Sequence, residues 1–213
     1  MDILPEIDTI QYKITEHCNL NCHNCGNMSP FKTKEEKSLE IIQQEVIQLS
    51  KKFKIKNFLI GGGEPTLHTQ LIPVLNILRN ILGIDTKITL LSNGLNFFNF
   101  KDDFFITIKF LNIHFCFSKY PIDVNYEKIF KILELKKIKY YGEDRSIFYN
   151  FIDPTGLQNS DISFEQCRKY KCCPVYMNNN IHLCLYVSNV EFINKKFGYK
   201  IEQDCVSIND SQI

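Results

Sequence analysis

Short apolar segments alternate with amphipathic ones along the first two thirds of this chain of 213 residues, and that alternation restricts the folds it can adopt. Three segments are typical of strands, namely 9–15, 57–60 and 86–91. Between them, apolar residues recur at helical spacing over 38–51 and 69–82, with Ser38 as an N-cap and Gly83 as a stop. Because strands that alternate with helices usually form parallel sheets with helical crossovers, we predict an α/β fold.

The alternation continues after residue 100. Further strands are predicted at 104–109, 112–118, 139–141 and 146–151, and a helix is predicted to begin after Asn125. About six strands before residue 152 suit a partial barrel better than a complete eight-stranded one. We therefore predict a partial (β/α)6 TIM-like barrel over residues 1–152, followed by a small cysteine-rich hairpin extension over 153–213, with its turn at three consecutive asparagines.

Charge and hydropathy exclude several classes of protein. The net charge of +1 gives no sign of a nucleic-acid partner. No apolar run approaches the roughly 18 residues of a membrane span, and the first residues lack the basic start of a signal peptide. We therefore expect a cytoplasmic protein with neither a membrane nor a nucleic acid as partner.

Nine cysteines are many for such a chain. In a reducing compartment a disulfide framework is less favoured than metal or cluster ligation. Cys18, Cys22 and Cys25 follow the first predicted strand with the spacing C-x3-C-x2-C, which can hold three irons of a cubane and leave the fourth open. The alternatives are a structural zinc site, completed by His17 or His23, and unrelated buried cysteines.

A glycine turn (residues 61–64, GGGE) follows the second predicted strand. In barrel enzymes the carboxyl ends of the strands form the active-site face. Glycine lets a ligand approach the backbone closely, and Glu64 offers a carboxylate to an ammonium group. A structural zinc site has no need of such a turn, so the pair of motifs favours a cluster.

These paired motifs resemble those of the radical S-adenosylmethionine (SAM) superfamily, over about residues 9–152. The resemblance implies that the three cysteines hold a [4Fe-4S] cluster, that SAM chelates its fourth iron, and that Gly62, Gly63 and Glu64 contact the methionine end of SAM. An electron from the reduced cluster would cleave SAM to a 5′-deoxyadenosyl radical, which removes hydrogen from a substrate. One departure is Asn24, which stands where the family often has an aromatic residue.

Further cofactor contacts follow from the same resemblance. Ser92 and Asn93, after the third predicted strand, would bind the ribose or carboxylate of SAM, although a simple polar turn is an equal alternative. Ser118 shares one strand face with His114 and Cys116, and this polar set would line the lumen. We therefore include Ser118 among the cofactor-binding candidates.

A second group of cysteines lies near the predicted hairpin: Cys167, Cys172, Cys173 and Cys184. The region is similar to the auxiliary-cluster extension (twitch domain) of some radical SAM proteins, which implies a second [4Fe-4S] cluster held by Cys167, Cys173 and Cys184. Its fourth ligand is left open between the neighbouring Cys172, Cys116, Cys205 and a substrate atom. The competing interpretations are a zinc site with His182 and a remnant that holds no cluster.

A wider pattern concerns the substrate. The strings CNLNCHNCGNMSPF, GGGEPTLH, LLSNG, FSKYPI, SFEQC and INKKFG are similar to those of radical SAM proteins associated with glycosyltransferases and bacterial surface-polysaccharide synthesis. This implies a sugar or nucleotide sugar that is oxidised, epimerised or rearranged, with an electron donor such as flavodoxin or ferredoxin. The alternatives are a peptide-modifying maturase or activase and a non-enzymatic zinc or iron–sulfur module.

Overall fold

The computed structural model describes residues 4–147, 157–169 and 174–209, with the backbone alone for 166–169. The strands are β1 (Glu6–Thr15), β2 (Lys54–Gly62), β3 (Lys87–Ser92), β4 (Ile113–Lys119), β5 (Tyr140–Asp144), β6 (Val175–Met177), β7 (Asn180–His182) and β8 (Cys205–Ser207). The helices are α1 (Leu39–Lys52), α2 (Leu71–Leu82), α3 (Asp102–Phe110), α4 (Tyr126–Lys136), α5 (Ser160–Lys169) and α6 (Val190–Phe197).

The described strands form one sheet in the order β5-β4-β3-β2-β1-β6-β7-β8. Strands β1 to β6 are parallel to one another, and β7 and β8 extend the sheet from β6 in antiparallel fashion. One register row aligns four buried apolar residues, namely Ile10, Phe58, Ile88 and Ile113. The predicted α/β fold with a parallel sheet of the partial-barrel type is confirmed.

The helices that cross between the strands begin and end where local chemistry favours it. Ser38 caps α1, because its hydroxyl accepts a bond from the Ile41 N–H at 3.4 Å. At the end of α2, Gly83 has a φ of 72°, which glycine adopts without the steric penalty of a Cβ. Both helices turn their apolar faces to the sheet, with Val46 of α1 and Leu75 of α2 fully buried.

The predicted strand at 104–109 is wrong, because this segment lies in helix α3. Its aromatic and β-branched residues are typical of strands, but their burial follows a helical period: Phe104 and Ile108 are buried, whereas Ile106 is 65% exposed. Two acidic residues in the first turn of α3 also favour the helix. The fifth strand covers 140–144 rather than 139–141, and most of the predicted strand 146–151 lies outside the described residues.

The C-terminal strands pair with the same sheet on the far side of β1. The predicted hairpin is confirmed, with Asn178 and Asn179 both at positive φ (50° and 60°) between β6 and β7. Tyr176 of β6 is buried, stacks on Tyr12 with ring centroids 6.0 Å apart, and donates to the Glu45 carbonyl at 3.1 Å. The division at residue 152 stays a prediction. No helix in the described ranges is both long enough and apolar enough to span a membrane.

Candidate functional site

A cavity of about 610 Å³ opens at the carboxyl ends of the parallel strands. Nine predicted site residues line it: Cys18, Cys22, Cys25, Gly62, Gly63, Glu64, Ser92, Asn93 and Ser118. These residues follow four different strands in the sequence. They lie together because parallel strands bring their carboxyl ends to one edge of the sheet. The structure therefore brings the two sequence motifs to one place.

The cysteine loop (residues 16–28) forms one wall of this cavity. Its three cysteines are free thiols and half-buried. Burial raises the pKa of Cys18 to about 11, and the nearby charges of Glu64, Cys25 and Cys22 act in the same direction, although the Leu20 N–H donates to Cys18 Sγ at 3.4 Å. Burial likewise raises the pKa of Cys22. These thiols need a cationic partner if they are to be held together as thiolates.

The glycine turn packs directly against the start of the cysteine loop. The Gly63 N–H donates to the Thr15 carbonyl and the Glu64 N–H to the His17 carbonyl, each at 2.7 Å. A Cβ on Gly62 would lie 2.2 Å from the Thr15 oxygen, and one on Gly63 would lie 2.1 Å from the His17 oxygen. The glycines are therefore required by contact between the two motifs, a role separate from the ligand approach that the sequence predicts.

Glu64 joins the end of β2 to the end of β3. Its side chain is buried, and one carboxylate oxygen accepts from the Thr66 N–H at 3.2 Å and the Thr66 hydroxyl at 2.6 Å. The other accepts from the Asn93 N–H at 2.7 Å. Burial raises the pKa of Glu64, and the bonds from Asn93, Thr66 and Ser92 act against that rise. Its contact with SAM stays a prediction.

Asn93 extends this network to the cysteine loop. Its side-chain Nδ2 donates to Asn19 Oδ1 at 2.8 Å, between the first and second cysteines. The Tyr126 hydroxyl donates to the Asn93 carbonyl at 2.8 Å and to the Ser118 carbonyl at 3.0 Å. Ser92 Oγ accepts from the Gly94 N–H at 3.0 Å. The ends of β2, β3 and β4 and the cysteine loop are thus one hydrogen-bonded unit.

Several cavity residues were not found from the sequence, above all Tyr186. It lines the cavity, and its hydroxyl donates to the Asn24 carbonyl at 3.2 Å. Its ring would lie 3.2 Å from a Cβ on Gly26, and burial raises its pKa to about 12. An aromatic side chain from the C-terminal segment thus lies against the cysteine loop at Asn24 and Gly26. Its position two residues after Cys184 is the only feature of the sequence that could have placed Tyr186 near the site.

The cavity lining also contains residues that the sequence analysis did not single out: Tyr120, Asp144, Arg145, Ser146 and Ile147. Arg145 pairs with Glu143 on β5, and burial raises the pKa of Tyr120 to about 12. Tyr120 lies in the string FSKYPI, directly after the end of β4. The cavity lining thus includes polar and aromatic side chains from the ends of β4 and β5.

The histidines proposed as zinc ligands differ in exposure. His17 is half-buried and His23 is exposed. No three His, Cys, Asp or Glu side chains in the described ranges lie close enough to share a single metal ion. A cubane cluster joins its thiolates through several irons, so it does not require them to meet at one ion. Three thiols around one cavity wall are a donor set that fits such a cluster.

The described part of the structure does not bring the second group of cysteines together. The side chain of Cys167, and Cys172 and Cys173 entirely, lie outside them. Cys184 is half-buried just after β7, and Cys205 pairs with His182 across β7 and β8. An auxiliary cluster held by Cys167, Cys173 and Cys184 therefore stays a prediction.

Comparison with known proteins identifies the family. Residues 12–135 match the family model "Radical SAM superfamily". The chain is 32% identical over 89 residues to a 7-carboxy-7-deazaguanine synthase from Clostridium acetobutylicum, covering 40% of this chain and 39% of that protein. It is 30% identical over 91 residues to a probable GTP 3′,8-cyclase from Methanococcus aeolicus, covering 42% and 30%. The chain thus matches well under half the length of these curated relatives.

The fold has a solved counterpart as well. A crystal structure of BtrN in complex with AdoMet and 2-DOIA aligns with a TM-score of 0.57 at 14% identity, covering 99% of this chain and 80% of that chain. The family match extends over more than half of the chain and includes both the cysteine loop and the glycine turn. With these motifs hydrogen-bonded around one cavity, the chain belongs to the radical SAM superfamily.

Proposed function

We propose that this protein is a radical SAM enzyme in which Cys18, Cys22 and Cys25 hold a [4Fe-4S] cluster. The observation that carries the proposal is the hydrogen-bonded contact between the cysteine loop and the glycine turn beside one cavity. When bound, the reduced cluster supplies one electron that breaks the S–C5′ bond of SAM, giving methionine and a 5′-deoxyadenosyl radical that takes a hydrogen atom from the substrate.

The chain's own residues would bind and orient SAM. Glu64 places a buried carboxylate in the cavity wall, held by Thr66 and Asn93, where it attracts the ammonium group of SAM. Gly62 and Gly63 leave the wall free of side chains, and Ser92, Asn93 and Ser118 offer polar groups to the ribose and carboxylate. The protein's contribution is binding, orientation and shielding, while the cofactor carries the radical chemistry.

The substrate that we propose is a sugar or nucleotide sugar, which the enzyme oxidises, epimerises or rearranges. Beyond the glycine turn and the cysteines, the lining is rich in uncharged polar residues, such as Gln11, Asn24 and Ser146. Such groups donate to and accept from hydroxyls. The similarity to proteins associated with polysaccharide synthesis supports the same class of substrate.

We also propose a cytoplasmic location, an electron donor such as flavodoxin or ferredoxin, and a second [4Fe-4S] cluster on Cys167, Cys173 and Cys184. The half-buried free thiols of the cysteine loop need a reducing compartment to remain available for ligation. Cys184 lies two residues before the cavity residue Tyr186, which supports an auxiliary cluster close to the substrate.

The test is to measure iron, sulfide and SAM cleavage in protein reconstituted without oxygen. We expect about four irons per chain, or about eight with an auxiliary cluster, and formation of 5′-deoxyadenosine upon reduction. The triple variant Cys18→Ala, Cys22→Ala, Cys25→Ala should lose about four irons and all cleavage. Cys116→Ala removes a buried cysteine of β4 outside the cavity lining, which is a candidate only for the auxiliary cluster, and should retain about four irons of the first cluster and SAM cleavage. Stoichiometric zinc without SAM cleavage would overturn the proposal.

A further inference from the structure

Asn189, just before α6, uses every hydrogen-bonding group of its side-chain amide. It is 2% exposed. Its Nδ2 donates to the Gly26 carbonyl and to the Leu185 carbonyl, each at 2.8 Å. Its Oδ1 accepts from Lys13 Nζ at 3.1 Å and from Lys32 Nζ at 2.7 Å. Two N–H donors and two lone pairs are the whole capacity of an amide, so the residue is fully paired.

These four bonds join parts of the chain that are distant in sequence. Gly26 follows Cys25 in the cysteine loop, and Lys13 lies on β1. Leu185 and Gly26 both line the cavity, and a Cβ on Gly26 would lie 2.9 Å from Leu185 Cδ2. Asn189 therefore fixes the end of the cysteine loop to the C-terminal segment and to the central strand of the sheet.

Lys13 is a buried cation with little compensation. It is 2% exposed, and among the described residues its ammonium has one hydrogen bond, to Asn189, and no ion pair. Glu16, the acidic side chain whose charge acts on Lys13, pairs with Lys32 at 3.0 Å. Burial, together with the like charges of Lys32 and Lys37, lowers the pKa of Lys13 to about 7, while the charges of Glu16 and Cys25 act in the opposite direction. An anion bound by Cys25 would stabilise this ammonium.

We propose that Asn189 is a positioning residue for the loop that carries Cys25, and that the Lys13 ammonium which it holds raises the reduction potential of the cluster bound there. This inference rests on the proposed function. Reduction adds one negative charge to the cluster, and a buried cation nearby stabilises the reduced state more than the oxidised state. The C-terminal segment would thus act on the chemistry of the first cluster through a contact that needs no second cluster.

The charge is tested with Lys13→Met, which keeps the length of the side chain and removes the ammonium. The measurement is an EPR-monitored redox titration of reconstituted protein, following the signal that changes when SAM is added. We expect the equilibrium constant for one-electron reduction to fall about tenfold, equal to about 59 mV. Lys13→Arg should stay close to the wild type. Lys136→Met, which removes a lysine paired with Asp102 on the outer surface, should leave the potential unchanged.

The positioning role is tested with Asn189→Asp. Aspartate keeps two acceptors for the lysines and loses both N–H donors to Gly26 and Leu185. We expect iron to be lost to a chelator several-fold faster than in the wild type, with a similar Tm for the protein before reconstitution. This arm remains informative even if Lys13→Met does not fold.

The failures are distinguishable. A wild type that assembles no cluster overturns the proposed function, and this inference with it. A wild type with about four irons, whose potential and rate of iron loss are the same in Lys13→Met and Asn189→Asp, overturns the inference alone.

Discussion

The two halves of the carboxyl edge of the sheet differ in how tightly they are held. At the ends of β2 and β3, Glu64 and Asn93 are 2% and 3% exposed and are hydrogen-bonded to each other. At the end of β5, residues 141–147 are exposed. The first half supports the cysteine loop through backbone contacts, whereas the second half presents side chains to solvent.

The difference matches the two tasks in the proposed function. A cofactor whose shape does not vary binds best to a rigid cavity wall, because the protein then loses little conformational entropy on binding. A substrate is held by side chains on strand ends and loops, which evolve more freely than the packed core. The comparison predicts that substitutions in the first half destabilise the fold most and that the exposed residues 141–147 tolerate change.

The largest effect is expected for Gly63→Ala. Its new methyl group would lie 2.1 Å from the His17 carbonyl oxygen, so the cysteine loop must shift. We expect a loss of about 3 kcal/mol or more in the free energy of unfolding, measured by urea denaturation. Gly83→Ala is the matched control, since it has a φ of 72° but nothing within 4 Å, and should lose about 1–2 kcal/mol. Equal losses would show that the contact is unimportant.

A smaller loss is expected for Glu64→Gln. The amide can replace one acceptor oxygen, but its NH₂ group must then face an N–H or hydroxyl of Thr66 or Asn93. We expect about 2 kcal/mol of destabilisation, because one buried donor loses its partner. Glu127→Gln, at an exposed position in the first turn of α4, should change the stability by only a few tenths of a kcal/mol. A Glu64→Gln protein as stable as the wild type would contradict the claim that the hydrogen bonds of Glu64 stabilise the fold.

The smallest effect concerns His114 of β4. Burial, followed by the charges of Lys87, Lys139 and Arg79, lowers its pKa from 6.5 to about 4. The unfolded chain therefore binds this proton first, so stability is lost as the pH falls from about 6.5 to about 4 and not further below. We expect His114→Asn to abolish this loss, which is about 1 kcal/mol because solvent screens this partly exposed group, as measured by urea unfolding at several pH values. Identical pH profiles would contradict the assignment.

Most of the fold and the first half of the site follow from local sequence patterns. The cysteine loop and the glycine turn each follow a predicted strand, and parallel topology alone brings such ends together. The segment of α3 was misassigned because its aromatic and β-branched residues resemble a strand until burial shows their period. Tyr186 and Asn189 were missed because their partners in the cysteine loop lie about 160 residues earlier. A local sequence pattern does not predict contacts between residues that are so far apart in the chain.

The pairing of β6 with β1 implies that the C-terminal segment protects the rest of the sheet. A protein shortened after β5 would lose Tyr176, leaving the Tyr12 ring uncovered on that side. It would also expose the peptide groups of β1 that now hydrogen-bond to the Pro174 carbonyl and pair with the β6 backbone. Uncovered strands of this kind recruit strands from other molecules. The shortened chain should therefore self-associate.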